Sequence, residues 1–301
     1  MKILLIILIV IVAIDLLGYF LANYSTRIPR QSLEEAMAWQ EEHYDLSWYP
    51  HVEKKEYLVA AEDGYILHAM LLRNPDPSIT RYVLISHGYT DNRFGSLKYA
   101  KVYFDLGFHV IVYDLRGHGA NEASRCTYSV QERRDLLMMI YDSRERYPDA
   151  TVLGIHGESL GAATSAAVLE FAPPIDFVVA DCGFSEITTV MKRGLRGMHL
   201  PGFLVYLASQ FAKPLCGYHY RDMRPVDSLE GNTVPVLFIH GEEDDFIVPE
   251  HSAAFHEANQ GYSERKLVPG AGHAASVLTD PELYRNYVED FLRTIGVLPQ
   301  R

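Results

Sequence analysis

Gly157-Glu158-Ser159-Leu160-Gly161 is the stretch whose reading decides the fold of this chain. It follows the apolar run Thr151-Val152-Leu153-Gly154-Ile155-His156 and precedes a run of small residues over 162–169, which is the order strand, tight turn, helix. The two glycines let the backbone pass a strained corner with no side chain in the way, so the serine oxygen projects from the sheet edge at a helix start. Backbone N–H groups at such a start can face a developing oxyanion. Alone the pentapeptide is a weak signal, and its surroundings carry the argument.

Working outward, short apolar runs alternate with helical stretches. Parallel strands are expected at 82–86, 109–113, 151–155, 177–180, 234–239 and 265–268, with crossover helices such as 131–147 between them. The runs are continuous rather than alternating, which suits strands covered on both faces. A hairpin at 56–61 and 65–72, turned by Asp63-Gly64, precedes them. The expected architecture is therefore α/β, a mostly parallel eight-stranded sheet flanked by helices. Such sheets place their chemistry at the carboxyl ends of the strands.

The motifs fall at those ends. After the first parallel strand, Ser86-His87-Gly88-Tyr89-Thr90-Asp91-Asn92 can turn the Tyr89 N–H toward the site. With the Leu160 N–H it would form an oxyanion hole, each donor being worth about 3–4 kcal/mol of transition-state stabilisation. Tyr113-Asp114-Leu115-Arg116-Gly117-His118-Gly119 ends the next strand, with Asp114 and Arg116 read as loop-organising groups. After the nucleophile elbow, His240-Gly241-Glu242-Glu243-Asp244-Asp245 delivers an acid and Gly270-Ala271-Gly272-His273 a histidine. Asp244 is preferred as the acid because the strand end fixes its position. A serine hydroxyl becomes a nucleophile once a neutral imidazole takes its proton, and the acid orients that imidazole. The candidates are thus Ser159, Asp244 and His273, in that chain order.

With 301 residues, 48% of them apolar, the chain can bury a large core. A formal charge of −12 without a long Lys/Arg run argues against nucleic acid. Cys126, Cys182 and Cys216 are widely spaced, so neither a disulfide framework nor a zinc knuckle is indicated. The thiols read as packing residues, Cys182 being the one beside a strand end. His87, His118, His156 and His240 each precede glycine but lie on different strand ends, and they read as hydrogen-bonding groups rather than metal ligands. No metal or organic cofactor is expected.

From Ile3 to Ala22 the chain is apolar except for Asp15, and about 20 such residues match a bilayer's hydrocarbon thickness. Leu21-Ala22-Asn23 is a poor cleavage site, so residues 1–23 are read as an uncleaved signal anchor in the cell membrane, with the rest of the chain extracytoplasmic. Arg27 and Arg30 on the far side blur the orientation signal. Residues 24–55 are expected to form a connector, 56–301 the catalytic domain, and 183–233 a small helical cap within it. The cap's Leu195, Met198, Leu200, Phe203, Leu204 and Phe211 give it an apolar surface, suited to a lid over an acyl pocket or to ordinary packing.

Taken together, the S-H-G-Y-T-D-N, Y-D-L-R-G-H-G, G-x-S-x-G, F-I-H-G-x-x-D and G-x-G-H blocks resemble the α/β-hydrolase superfamily. Within it they are similar to bacterial membrane-anchored serine hydrolases of the lipase/esterase and serine-aminopeptidase-like branch. The resemblance covers residues 56–298. It implies cleavage of carboxylic esters, acyl or lipid-like, through an acyl-enzyme on Ser159, with His273 as base and then acid. Peptidase, aminopeptidase or thioesterase activity on the same residues is the alternative within the class, and a non-catalytic membrane-tethered binding protein the alternative outside it. The chain departs from the family's pattern in the acid loop, which is one residue longer: counting back from Val248-Pro249 selects Asp245 instead of Asp244. Between 183 and 233 there is no room for a large lid domain.

Overall fold

The computed structural model describes residues 1–300. Helix α1 (Lys2–Thr26) and helix α2 (Leu33–His43) lead into strands β1 (Glu53–Ala60) and β2 (Ile66–Arg73). Then follow β3 (Arg81–Ser86), α3 (Leu97–Asp105), β4 (His109–Tyr113), α4 (Glu132–Arg146), β5 (Val152–Glu158), α5 (Leu160–Ala167) and β6 (Phe177–Asp181). The chain closes with α6 (Ile187–Gly197), α7 (Leu204–Cys216), β7 (Val236–Gly241), α8 (Glu250–Ala258), β8 (Ser263–Val268), α9 (Ser276–Thr279) and α10 (Pro281–Thr294).

The eight strands form one sheet in the order β1-β2-β4-β3-β5-β6-β7-β8. It is mostly parallel, with two antiparallel pairs, β1 with β2 and β2 with β4. This is the α/β-hydrolase fold. The central strands β3, β4, β6 and β7 are buried almost along their whole length, as their unbroken apolar sequences require when helices cover both faces. The edge strand β8, with Ser263-Glu264-Arg265-Lys266, is only half-buried and reads polar for that reason. Each fully buried Val, Leu or Phe in the centre contributes about 1.5–3 kcal/mol.

The hairpin starts earlier than the sequence led us to expect, at Glu53, so the boundary drawn at residue 56 falls inside β1. Ahead of it, the segment from residue 24 to 55 is joined to the body. Met37, Tyr44, Leu46, Trp48 and Tyr49 pack against the apolar layer of α3 and α10. Ser32 caps α2 reciprocally with Glu35.

The last turns of α1 are held too. Gly18, Ala22 and Thr26, one turn apart, are its buried residues. A side chain on Gly18 would come within 2.5 Å of the Phe211 ring, so side chains of α7 lie directly against the α1 backbone. Thr26 is fixed by Arg125, and the Thr26 carbonyl accepts from the Cys126 N–H. The turns before Gly18 stand exposed and apolar, and over its 25 residues α1 is long and apolar enough to cross a membrane.

Candidate active site

At the elbow, β5 hands over to α5 through Ser159, whose φ of 53° is in the left-handed region. Holding a non-glycine residue there costs about 1–3 kcal/mol, and surrounding contacts must enforce it. The Ser159 N–H donates to the Asp181 carbonyl at 2.8 Å, and the Ser159 carbonyl accepts from the Ala163 N–H at 2.9 Å. The flanking glycines are required by close approach. A Cβ on Gly157 would lie 2.2 Å from the Gly161 carbonyl oxygen, and one on Gly161 would lie 2.1 Å from the Ser86 carbonyl oxygen. Every residue of α5 is buried, which explains its run of alanines.

Ser159 Oγ lies 3.0 Å from His273 Nε2, and His273 Nδ1 lies 2.7 Å from Asp244 Oδ2. A carboxylate beside Nδ1 holds the proton there, which leaves Nε2 as acceptor for the serine hydroxyl. Asp244 Oδ1 accepts from the N–H groups of Phe246 and Ile247 at 3.0 and 2.9 Å, and His240 Nε2 approaches Oδ2 at 3.3 Å. Burial pushes the Asp244 carboxyl up, but the hydrogen bonds from His240 and His273 outweigh it and hold the group below the usual carboxylate range. Asp245 is exposed; its carbonyl accepts from Arg193 Nε. The structure thus brings Asp244, rather than Asp245, to the histidine.

Leu160 opens α5, and an amide in the first turn of a helix has no partner within the helix. Gly88 runs beside the nucleophile, its Cβ position 3.8 Å from Ser159 Cβ, and Tyr89 follows it. Two histidines shape this turn. The Leu115 N–H donates to His87 Nε2, so the Nδ1–H of neutral His87 donates to the Gly88 carbonyl at 2.7 Å. Burial keeps that ring uncharged by pushing its pKa down. His118 sits 2.6 Å from the Tyr89 carbonyl and 2.9 Å from that of Arg116. Asp114 is bound to Arg93 and to the Ala120 N–H, and Arg116 to Asp63 and Asp135, so both hold loops.

A buried cluster under the elbow escaped the sequence reading. Lys98 on α3 is ion-paired with Glu158, the residue before the nucleophile, and both side chains are over nine-tenths buried. Tyr99 Oη lies 2.6 Å from Glu158 Oε2 and 3.1 Å from Asp181 Oδ2, and Ser276 donates to Asp181 Oδ1. One phenolic proton cannot serve both carboxylates. Burial, with Glu158 nearby, pushes Asp181 up to about 6, so at a pH below that value a protonated Asp181 can donate to Tyr99. A charged residue inside the elbow, at a position where the fold leaves no solvent, was the signal that could have announced a partner. Lys98→Met strands the Glu158 charge and is expected to cost about 3–5 kcal/mol of stability, most of it recovered in Lys98→Met/Glu158→Gln. Urea unfolding checks this, and a cost below about 1 kcal/mol would contradict it.

Cys182 is buried beside the site, where burial and the Asp181, Glu158 and Asp244 carboxylates push its thiol well up, away from nucleophilic character. Among the described residues no group of three or more His, Cys, Asp or Glu side chains is arranged to hold a metal ion.

A sheet of this order with a serine at a strand–helix elbow defines the α/β-hydrolases. Residues 95–294 match the prolyl oligopeptidase family. The chain is 30% identical over 248 residues to uncharacterized protein YqkD of Bacillus subtilis, covering 81% of each. It is 27% identical over 208 residues to human protein ABHD12B, covering 65% of this chain and 54% of that one. Among solved structures, esterase PF2001 of Pyrococcus furiosus superposes with a TM-score of 0.68 at 23% identity, over 81% of this chain and 92% of that one. The acylaminoacyl peptidase of Pyrococcus horikoshii gives 0.60 at 16% identity, over 81% of this chain and 42% of that one. The chain is a hydrolase belonging to the prolyl oligopeptidase family.

Proposed function

We propose that this chain is a membrane-tethered serine hydrolase that cleaves carboxylic esters of small, acyl or lipid-like substrates. The observation that carries the reading is the unbroken line from Ser159 Oγ through the His273 ring to Asp244 Oδ2, at 3.0 and 2.7 Å. His273 takes the Ser159 proton as the oxygen attacks the ester carbonyl, and the tetrahedral oxyanion is met by the N–H groups of Tyr89 and Leu160. Collapse expels the alcohol with the proton that His273 returns. Water, deprotonated by the same histidine, then releases the acid. Asp244 stays ionised and stabilises the imidazolium.

Esters are favoured over peptides because the space beside Tyr89 is lined mainly by aromatic and aliphatic groups, which offer little to a peptide backbone. The esterase structural neighbour agrees with this, whereas the acylaminoacyl peptidase and the family's name motivate a direct comparison. An uncleaved anchor is favoured over a removed signal because Gly18, Ala22 and Thr26 are packed into the body, and cleavage after residue 22 would take the first two away. With residues 1–23 as an uncleaved signal anchor, the hydrolase domain lies outside.

The test is treatment of the full chain in detergent with a fluorophosphonate probe, beside turnover of p-nitrophenyl acetate and acetyl p-nitroanilide. Labelling and an ester rate at least about a hundredfold above the anilide rate are expected. Faster anilide turnover transfers the reading to a peptidase. A folded chain that neither labels nor turns over either compound refutes it.

A further inference from the structure

A cavity of about 850 Å³ opens between the end of α1, the cap and the turn that carries Tyr89, with Phe20, Tyr24, Ile28, Tyr89, Tyr128 and Met191 in its wall. Two of the three phenol groups in this wall are occupied, and the third, on Tyr24, is exposed. Tyr89 Oη donates to the Arg27 carbonyl at 2.9 Å, and Tyr128 Oη donates to the Ser25 carbonyl. A second space of about 140 Å³, almost wholly apolar, continues between α1 and the cap, bounded by Leu21, Leu195, Met198 and Leu204. Tyr24, Ser25 and Met191 belong to both walls, so the two spaces adjoin. Tyr89, in the wall of the larger space, follows Gly88, whose Cβ position is 3.8 Å from Ser159 Cβ.

The outer end lies at a level set by α1. Only the part before Gly18 stands free of the body, and from Ile3 to Leu17 that part rises about 22 Å at 1.5 Å per residue. A bilayer's hydrocarbon core is about 30 Å thick. If α1 spans, the turns around Gly18 to Ala22 and the cap surface beside them must lie within the apolar layer. That surface is dressed for it: Phe20, Met198, Phe203 and Tyr206 are all more than half exposed. Arg27 and Arg30 also line the larger cavity without a carboxylate at ion-pair distance among the described residues; Arg30 Nη2 donates to the Gly119 and Asn121 carbonyls, and Arg27 is the cation left for a headgroup.

Resting on the anchored serine-hydrolase reading, we propose that these two spaces form an acyl-binding channel that opens sideways into the bilayer. The substrate is then a membrane amphiphile whose acyl chain lies between α1 and the cap while its ester reaches Ser159. In this arrangement α1 is a wall of the substrate site as well as the tether.

Gly194 supplies the test. It borders the smaller apolar space, and a Cβ built there meets nothing within 4 Å, so Gly194→Phe fills the space without a backbone clash and removes a helix-weakening glycine. Met191→Trp narrows the junction of the two spaces. With the full chain in micelles, kcat/KM is measured on p-nitrophenyl acetate and dodecanoate. The wild type is expected to prefer dodecanoate, and both variants to lower the dodecanoate-to-acetate ratio at least tenfold. A ratio unchanged in both folded variants, with labelling by the fluorophosphonate intact, overturns the channel and leaves the hydrolase reading standing. Should the groove instead seat a second copy of the chain, Gly194→Phe would lower the oligomeric mass on sizing without moving the ratio, which also overturns it. A wild type that neither labels nor turns over an ester removes the hydrolase reading and the channel with it.

Discussion

Ser159→Ala is expected to lower kcat on p-nitrophenyl acetate by about 10⁶-fold, to the level the remaining oxyanion donors and binding can sustain. Labelling by the fluorophosphonate should vanish with it. The substitution removes one oxygen from a residue whose backbone is fixed by the Asp181 carbonyl and the Ala163 N–H, so circular dichroism and the unfolding midpoint should stay close to wild type. Loss of rate in a folded chain places the chemistry on Oγ. A variant that keeps more than about a hundredth of the rate would mean that another group attacks the carbonyl.

Asp244→Asn is expected to cost about 10⁴-fold in kcat with little change in KM. An amide in place of the carboxylate no longer demands the proton on His273 Nδ1, and the tautomer that can accept from Ser159 is lost. Asp245→Asn, one residue on and exposed, is expected to stay within about twofold of wild type. The pair decides the acid by kinetics alone, because both are single-atom changes of similar size. Equal losses in the two variants, or a larger one at Asp245, would reassign it.

The ambiguity between these neighbours shows where the sequence stopped being legible. A motif such as Gly157-Glu158-Ser159-Leu160-Gly161 is local: two glycines answer a clash within the same five residues or across one strand, and the consequence is visible in the string. The acid loop is different. Which of two adjacent aspartates faces His273 depends on a turn closed by the Phe246 and Ile247 amides on Asp244, and an extra residue cannot be assigned to either side by counting. The strand order was readable because buried parallel strands need unbroken apolar runs. The polar β8, half-buried at the edge, showed only its last residues. The Lys98, Glu158 and Asp181 cluster joins side chains far apart in sequence, and only the sheet brings them together. The docking of α1 was the least visible element, since along an apolar helix a buried stripe is marked by small residues, Gly18, Ala22 and Thr26, and not by any change in hydropathy.

With the anchor and the channel proposed above, that stripe decides how the domain meets its substrate. A domain on a slack tether samples a hemisphere of orientations, and each productive encounter must first find one of the few in which the catalytic mouth faces the membrane. Here α7 is locked against α1, so once the apolar half of α1 lies in a bilayer the mouth has a fixed tilt and azimuth. Encounter becomes a search in two dimensions with the angle of approach already chosen, and the rotational entropy of alignment is lost at folding, once, rather than at every turnover.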